Sequence, residues 1–328
     1  METQQPASPR PQHAPARAIW LVLAGIVSVQ LGSVIGKGAF DSVAPTALTW
    51  LRLAASVLIL LVWARPRISG HDRADWAFAV SFGTSLALMN WSIYQSFSRI
   101  PIGVAVTVEF LGPLTVALIG SRRPRDVLWV LLAGLGVALL GGSRAGLDLV
   151  GVGFALLAGA SWAAYILLSA QTGRRWPGVD GLTIASLVAL AWLTPGALVT
   201  GGDALLDPRV LAVGATVGLL SSALPYGLEI HALRSLSPAL FGILMSLEPA
   251  AAALAAALIL GELLTGVQLV AMAFVMVAST GAAWTSSSAK SGSIASAGQS
   301  IPGDTPGDVS EGISGRGSRG FWGGISGG

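Results

Sequence analysis

Two carboxylates lie deep inside long apolar segments, where a charged side chain is costly. Glu109 follows Pro101 by eight residues, and Glu248 follows Pro238 by ten. At 1.5 Å per helical residue, each lies roughly 12 to 15 Å from the start of its segment, near the middle of a ~30 Å hydrocarbon core. Carboxylates at this depth commonly bind ions or substrates. We therefore predict that Glu109 and Glu248 bind protons and the cationic group of a substrate. The alternative is that each is protonated and bonds a neighbouring helix.

A cation lies in another apolar segment at a comparable depth. Arg52 is about six residues into that segment, roughly 9 Å along a helix. A guanidinium stays protonated at ordinary pH and must therefore find an anion or water. Arg52 can pair with Glu109 or bind a substrate carboxylate through two hydrogen bonds. The alternative is that its long side chain reaches the headgroup region.

Neutral polar side chains extend this candidate site. Asn90 and Tyr94 are four residues apart and share one helix face. Trp162 and Tyr165 occur in a later segment, where Trp162 is deep enough to form a cavity wall or a platform for a cation. We predict that all four line the substrate site, and ordinary hydrogen bonding between helices is the alternative.

Four further ionisable residues lie near the ends of apolar segments. Glu229 and His231 are two residues apart and could form a proton port, although a solvated helix end is the simpler explanation. Lys37 and Glu262 are predicted to be gate or interfacial residues. Lys37 also precedes Asp41 by four residues, which predicts a surface ion pair between them.

The elements that position these residues are helices in a membrane. Of the residues, 53% are hydrophobic and 11% are charged, against about 25% charged residues in soluble proteins. Backbone groups in hydrocarbon must be satisfied within their own segment, so long apolar runs are predicted to be helices. Ten such runs predict an all-α membrane protein with ten transmembrane helices, at residues 18–36, 46–64, 76–97, 102–121, 127–142, 150–170, 182–200, 210–232, 239–260 and 266–284.

The basic residues between these runs predict the orientation. One set of alternate loops, with both termini, carries fourteen lysine and arginine residues, and the other set carries three. Basic residues collect on the cytoplasmic side of a membrane. Both termini are therefore predicted to be cytoplasmic.

Two stretches of the sequence resemble each other, which predicts an internal repeat. Residues 94–113 and 231–249 share a basic turn, a proline that opens a helix, a deep glutamate and a further proline. A repeat of five helices has an odd number of crossings, so its second copy is inverted. We predict repeats at 18–143 and 147–285, with disordered tails at 1–17 and 286–328.

The sequence resembles the drug/metabolite transporter superfamily in its ten-helix form with two EamA-type repeats, and more narrowly the bacterial threonine/homoserine exporter family. The resemblance rests on residues 106–113 (VTVEFLGP), 121–124 (SRRP), 160–166 (ASWAAYI), 222–229 (SALPYGLE), 241–249 (FGILMSLEP) and 260–262 (LGE). It implies a multi-pass protein of the bacterial inner membrane that exports small amino acids, driven by proton entry. Import, or a different small metabolite or drug as substrate, remains open.

Other classes of protein fit the sequence less well. It has no cysteine, aspartate-rich metal motif, phosphate loop or serine-hydrolase elbow, and only three histidines. We therefore predict no enzymatic activity, no cofactor, no metal and no nucleic-acid partner; a polytopic membrane enzyme is the distant alternative. The predicted partners are a small-molecule substrate, protons and the lipid bilayer, and a homodimer is left open.

Overall fold

The computed structural model describes residues 14–64, 66–119, 125–142, 147–233 and 235–298, and within these residues the chain is helical with no strand. The α-helices are α1 (Ala14–Gly38), α2 (Pro45–Ala64), α3 (Arg73–Phe97), α4 (Ile102–Glu109), α5 (Leu111–Ile119), α6 (Arg125–Gly142), α7 (Leu149–Arg175), α8 (Asp180–Gly201), α9 (Pro208–Gly218), α10 (Leu224–Leu233), α11 (Pro238–Met245), α12 (Glu248–Leu260) and α13 (Gly266–Gly298). A 3-10 turn (Gly202–Leu206) follows α8, and a π-helical turn (Leu219–Ala223) joins α9 to α10.

Eight segments of the described chain are long and apolar enough to cross a membrane. They are Ala16–Gly38, Pro45–Val62, Ile102–Ile119, Leu149–Arg175, Asp180–Leu206, Pro208–Leu233, Leu240–Leu260 and Gly266–Trp284. The two other predicted crossings are helical as well. In α6 the apolar part, Val127–Leu140, is shorter, and α3 carries several polar residues along its length. The protein is therefore a multi-pass helical membrane protein.

Large apolar side chains on the outside of the bundle agree with a lipid environment. Leu131, Val199 and Leu258 are 65%, 85% and 76% exposed. In water such a surface would be unfavourable, whereas hydrocarbon chains solvate it at no cost. The bilayer therefore replaces water as the solvent of these helix faces.

Both chain ends differ from the predicted tails. Helix α1 begins at Ala14, inside the predicted tail 1–17, and α13 continues past Thr285 to Gly298. The sequence after Thr285 has no proline before Pro302, so nothing there forces the helix to end. The rest of both predicted tails lies outside the described residues. The chain up to Lys290 forms one compact unit, and the residues after it are separate from that unit.

The first five helices pack against later ones. Helix α1 contacts α10 and α12, α2 contacts α8 and α9, and α3 contacts α7 and α8. Helix α4 contacts α7 and α12, and α5 contacts α7. The largest buried apolar cluster includes Val34, Leu48, Tyr94, Ile102 and Val217, which come from five different elements. The core therefore lies between the two halves of the chain.

Two of the membrane-crossing segments are broken helices. Helix α4 ends at Glu109, four residues before Pro113, and α11 ends at Met245, four residues before Pro249. Proline has no N–H and its ring clashes with the carbonyl group four residues earlier, so each proline disrupts the helix at that residue. Glu109 is consequently the last residue of α4, and Glu248 is the first residue of α12.

The start of α7 has a well-defined cap. Asp148 accepts a hydrogen bond from the backbone N–H of Val150 at 2.8 Å and one from Arg99, at the end of α3, at 3.2 Å. The N–H of Val150 first, and then Arg99, lower the pKa of Asp148 below its ordinary value. This cap ties the end of α3 to the start of α7.

Candidate functional site

A cavity of about 360 Å³ lies between the two halves of the bundle. Helices α1 to α4, α7, α8, α10, α11 and α12 and the π-helical turn contribute to its wall. All the residues predicted to bind substrate or protons line it: Arg52, Asn90, Tyr94, Glu109, Trp162, Tyr165 and Glu248. The structure therefore brings together side chains that are spread over nearly two hundred residues of sequence.

The acidic groups of the cavity come from three helices. Glu109 ends α4, Glu248 begins α12 and Glu229 lies on α10. Glu248 is only 7% exposed. Among the described residues that line the cavity, Arg52 is the only cation. Three carboxylates thus face one guanidinium, which favours the binding of protons or of a cationic group.

Arg52 is held by the π-helical turn. Its Nη2 donates a hydrogen bond to the carbonyl oxygen of Ser221 at 3.3 Å, and its guanidinium lies 5.5 Å from the ring centre of Tyr94. Its buried Nε has no hydrogen-bond partner among the described residues. No ion pair within 4.0 Å joins Arg52 to Glu109 in the described part of the chain. The guanidinium therefore keeps a donor for a ligand in the cavity.

The π-helical turn exposes backbone carbonyl groups that side chains then bind. Ser28 on α1 donates to the carbonyl oxygen of Leu220 at 2.6 Å, beside the bond from Arg52 to Ser221. A π-helical turn inserts an extra residue, so neighbouring carbonyl groups lose their usual helical partners. The turn is thereby anchored to α1 and α2, and it places Ser221 at the cavity wall.

Aromatic side chains form another part of the wall. Trp162 packs against Phe110 edge to face with ring centres 5.4 Å apart, and Tyr165 packs on Phe82 at 5.0 Å. Asn90 donates to the carbonyl group of Leu86 on its own helix at 2.9 Å. These contacts fix the shape of the cavity around the charged groups.

Lys37 and Glu262 lie away from the cavity and form an ion pair of 2.5 Å. Lys37 also donates to the carbonyl oxygen of Ile100 at 2.9 Å, and Glu262 accepts from the N–H of Ile102 at 3.0 Å.

The predicted pair between Lys37 and Asp41 is wrong. Helix α1 ends at Gly38, so the four-residue spacing does not bring the two side chains together.

Glu229 and His231 do not form one site. Glu229 lines the cavity, whereas His231 is exposed, with its Nδ1 2.8 Å from the carbonyl oxygen of Gly227. Residues two apart on a helix point in nearly opposite directions, which accounts for the separation.

Several lining residues were missed by the sequence analysis. They are the short polar side chains Ser33, Ser56, Ser186 and Ser221, and the longer Gln30. Gln30 is 3% exposed. A glutamine in the middle of an apolar segment is itself a signal of a functional position, and it could have identified this residue.

Comparisons with known proteins agree with this architecture. Residues 149–284 match the EamA-like transporter family. The chain is 41% identical over 254 residues to the threonine/homoserine exporter RhtA of Salmonella typhimurium LT2 and of Escherichia coli K12, covering 74% of this chain and 85% of each relative. It is 27% identical over 248 residues to the uncharacterized transporter YwfM of Bacillus subtilis, covering 69% of this chain and 81% of that protein.

A protein of known crystal structure has a similar fold. The TM-score is 0.53 at 18% sequence identity, over 80% of this chain and 95% of the other. This likeness is one of overall fold. The chain belongs to the EamA-like transporters of the drug/metabolite transporter superfamily and is a relative of the RhtA proteins.

Proposed function

We propose that the protein exports small amino acids of the threonine and homoserine kind across a bacterial inner membrane, in exchange for protons. The observation that carries this proposal is the cavity, where Arg52 and the carboxylates Glu109 and Glu248 lie together. An amino acid carries one negative and one positive group, and each finds an opposite charge there. The relatives named as threonine/homoserine exporters support this substrate class.

The charges suggest a division of roles within the site. Arg52 binds the substrate carboxylate, because guanidinium and carboxylate form strong, charge-assisted hydrogen bonds. Glu109 and Glu248 bind the substrate ammonium group or a proton. Because a protonated carboxyl group no longer attracts an ammonium ion, proton and substrate compete, and this competition can drive exchange.

The helix packing supports an arrangement of ten crossings in two inverted repeats, with both termini in the cytoplasm. On this reading, α1 corresponds to α7, α2 to α8, α3 to α9 and α10, and α4 with α5 to α11 with α12. The contact of α1 with α10 then corresponds to that of α7 with α3. Likewise the contact of α2 with α9 corresponds to that of α8 with α3, and the contact of α1 with α12 to that of α7 with α5.

The two broken helices also correspond under this arrangement. Broken helices at the midplane are common at the binding sites of transporters built from inverted repeats. Here each break lies next to a cavity carboxylate, Glu109 in one repeat and Glu248 in the other. We infer that alternating access rearranges the protein around these two positions.

The test is threonine efflux from loaded vesicles with and without an imposed pH gradient. Glu109→Gln and Glu248→Gln keep the side-chain volume but remove the titrating group, and each should lower gradient-driven efflux by about tenfold or more. Threonine–threonine exchange needs no net proton movement and should be less affected. Asp203→Asn, at an exposed carboxylate outside the cavity, is the matched control. Full gradient-driven efflux in both cavity variants would disprove proton antiport through these carboxylates.

A further inference from the structure

Four polar atoms in the cavity wall are buried without a hydrogen-bond partner among the described residues. They are Nε of Arg52, Oη of Tyr94, Oε1 of Gln30 and Oγ of Ser221, and the last two belong to residues that are 3% and 8% exposed. Buried polar groups in native proteins almost always have a partner, because losing the bond to water without replacement is costly. A group that lines a cavity and lacks a partner is therefore suited to bind what enters the cavity.

Two serine residues of the same wall already have partners on their own helices. Ser33 donates to the carbonyl oxygen of Val29 at 3.0 Å, and Ser56 donates to that of Arg52 at 2.9 Å. Such bonds between a side chain and the preceding turn are ordinary in membrane helices. Gln30 differs from these residues, because its amide oxygen is buried and unpaired.

The charged residues of the cavity can bind the ionic groups of the substrate, which leaves an uncharged group for Gln30. Arg52 is available for a substrate carboxylate. Its guanidinium binds the carbonyl oxygen of Ser221, and the hydroxyl group of Ser221 is next to that carbonyl group. Glu109 and Glu248 are available for an ammonium group. An uncharged amide competes poorly with these residues for either ionic group, so it remains for an uncharged polar group of the substrate.

We propose that Gln30 determines substrate specificity by hydrogen bonding to the side-chain hydroxyl group of the transported amino acid. This inference rests on the proposed export function and adds the reason for selecting hydroxylated substrates. A hydroxyl group both donates and accepts, and a carboxamide carries one acceptor and two donors. The match therefore holds whichever way the amide is turned.

The same interaction rejects substrates that lack the hydroxyl group. When such an analogue binds, the amide of Gln30 stays buried and unpaired, and a site built to bond a hydroxyl group discriminates strongly against that analogue. Valine is threonine with a methyl group in place of the hydroxyl, and norvaline stands in the same relation to homoserine. These two pairs isolate the hydroxyl contribution.

The experiment measures efflux of the four amino acids from loaded vesicles by the wild-type protein and by Gln30→Met. The wild type should prefer threonine to valine, and homoserine to norvaline, by on the order of tenfold to a hundredfold. Gln30→Met has a similar shape and no amide, so both preferences should fall to about threefold or less. Gln95→Met is the matched control, because Gln95 bonds Thr46 and lies outside the cavity lining.

A second variant tests the chemistry with the amide retained. Gln30→Asn has a shorter reach, and the hydroxyl group of homoserine lies one carbon further out than that of threonine. This variant should keep more of the preference for homoserine over norvaline than of the preference for threonine over valine.

The outcomes separate the two proposals. Unchanged preferences in Gln30→Met, with wild-type threonine efflux intact, would overturn the role of Gln30 and leave the export function standing. A Gln30→Asn variant as unselective as Gln30→Met would also overturn it. Absence of threonine and homoserine efflux in the wild type would reject the export function itself. Because each preference is a ratio within one variant, a lower amount of folded protein does not change it.

Discussion

Removing the ion pair between Lys37 and Glu262 should destabilise the end of the bundle where α1, α4 and α12 meet. Each side chain bonds the other and also a backbone group of the segment that leads into α4. Glu262 accepts the N–H of Ile102, the first residue of α4, where a negative charge is favourable. Neutralising either residue therefore breaks more than one contact.

The burial of the pair sets the expected magnitude. The side chains of Lys37 and Glu262 are 19% and 18% exposed, so water screens them only in part. Exposed ion pairs contribute about 0.2–1 kcal/mol, whereas breaking a buried pair costs about 3–5 kcal/mol. A coupling free energy between these limits, about 2 kcal/mol, is expected.

A double-mutant cycle measures this coupling. Lys37→Met, Glu262→Gln and the double variant are compared with the wild type by the free energy of unfolding in detergent micelles. The control is a cycle on Arg99 and Asp148, an ion pair whose side chains are 42% and 37% exposed and which should couple more weakly. A coupling of Lys37 with Glu262 below about 0.5 kcal/mol would refute the reasoning.

Three further predictions concern topology, acid stability and helix packing. Reporter fusions after Arg144 and after Arg175 should report opposite sides of the membrane, outside and inside respectively; the same side for both would contradict the inverted repeat. Folding lowers the pKa of Asp148, so its stabilising effect is complete above the ordinary carboxylate pKa of about 3.9 and is lost as pH falls through the lower folded value. Acid unfolding of Asp148→Asn should accordingly depend less on pH in that range, and an unchanged profile would show that the cap is unimportant. An added methyl group at Gly112 would overlap a backbone carbonyl of α7, so Gly112→Ala should lower the free energy of unfolding by about 1–3 kcal/mol. Gly134→Ala, which meets no described atom within 4 Å, should not lower it.

The depth of a residue in an apolar segment could be predicted from the sequence, and this was enough to find much of the cavity. Glu109, Glu248 and Arg52 were selected because a charge at that depth needs a partner. The direction in which a side chain faces could not be predicted from the sequence in the same way. Gln30 carries no charge, so its cost in the membrane is smaller and its signal is weaker, although it lines the same cavity.

Contacts between distant segments could not be predicted. Lys37 pairs with Glu262, more than two hundred residues away, and only the packing of α1 beside α12 brings them together. The assignment to Asp41 failed because it required α1 to continue beyond Gly38. Pro113 and Pro249 belong to the predicted repeat, but each segment was predicted to be a single helix, whereas both are broken.

The two breaks would have a thermodynamic consequence for the proposed proton exchange. Glu109 is the last residue of one half-helix and Glu248 is the first residue of another, so each carboxylate lies beside a break. Suppose that a rearrangement of the break changes the free energy with which the carboxylate binds a cation. Because linkage is reciprocal, binding of that cation then changes the free energy of the rearrangement by the same amount. The driving ion would then act directly on the hinge of the conformational change. No chain of intermediate residues would be needed to carry its free energy to the moving backbone.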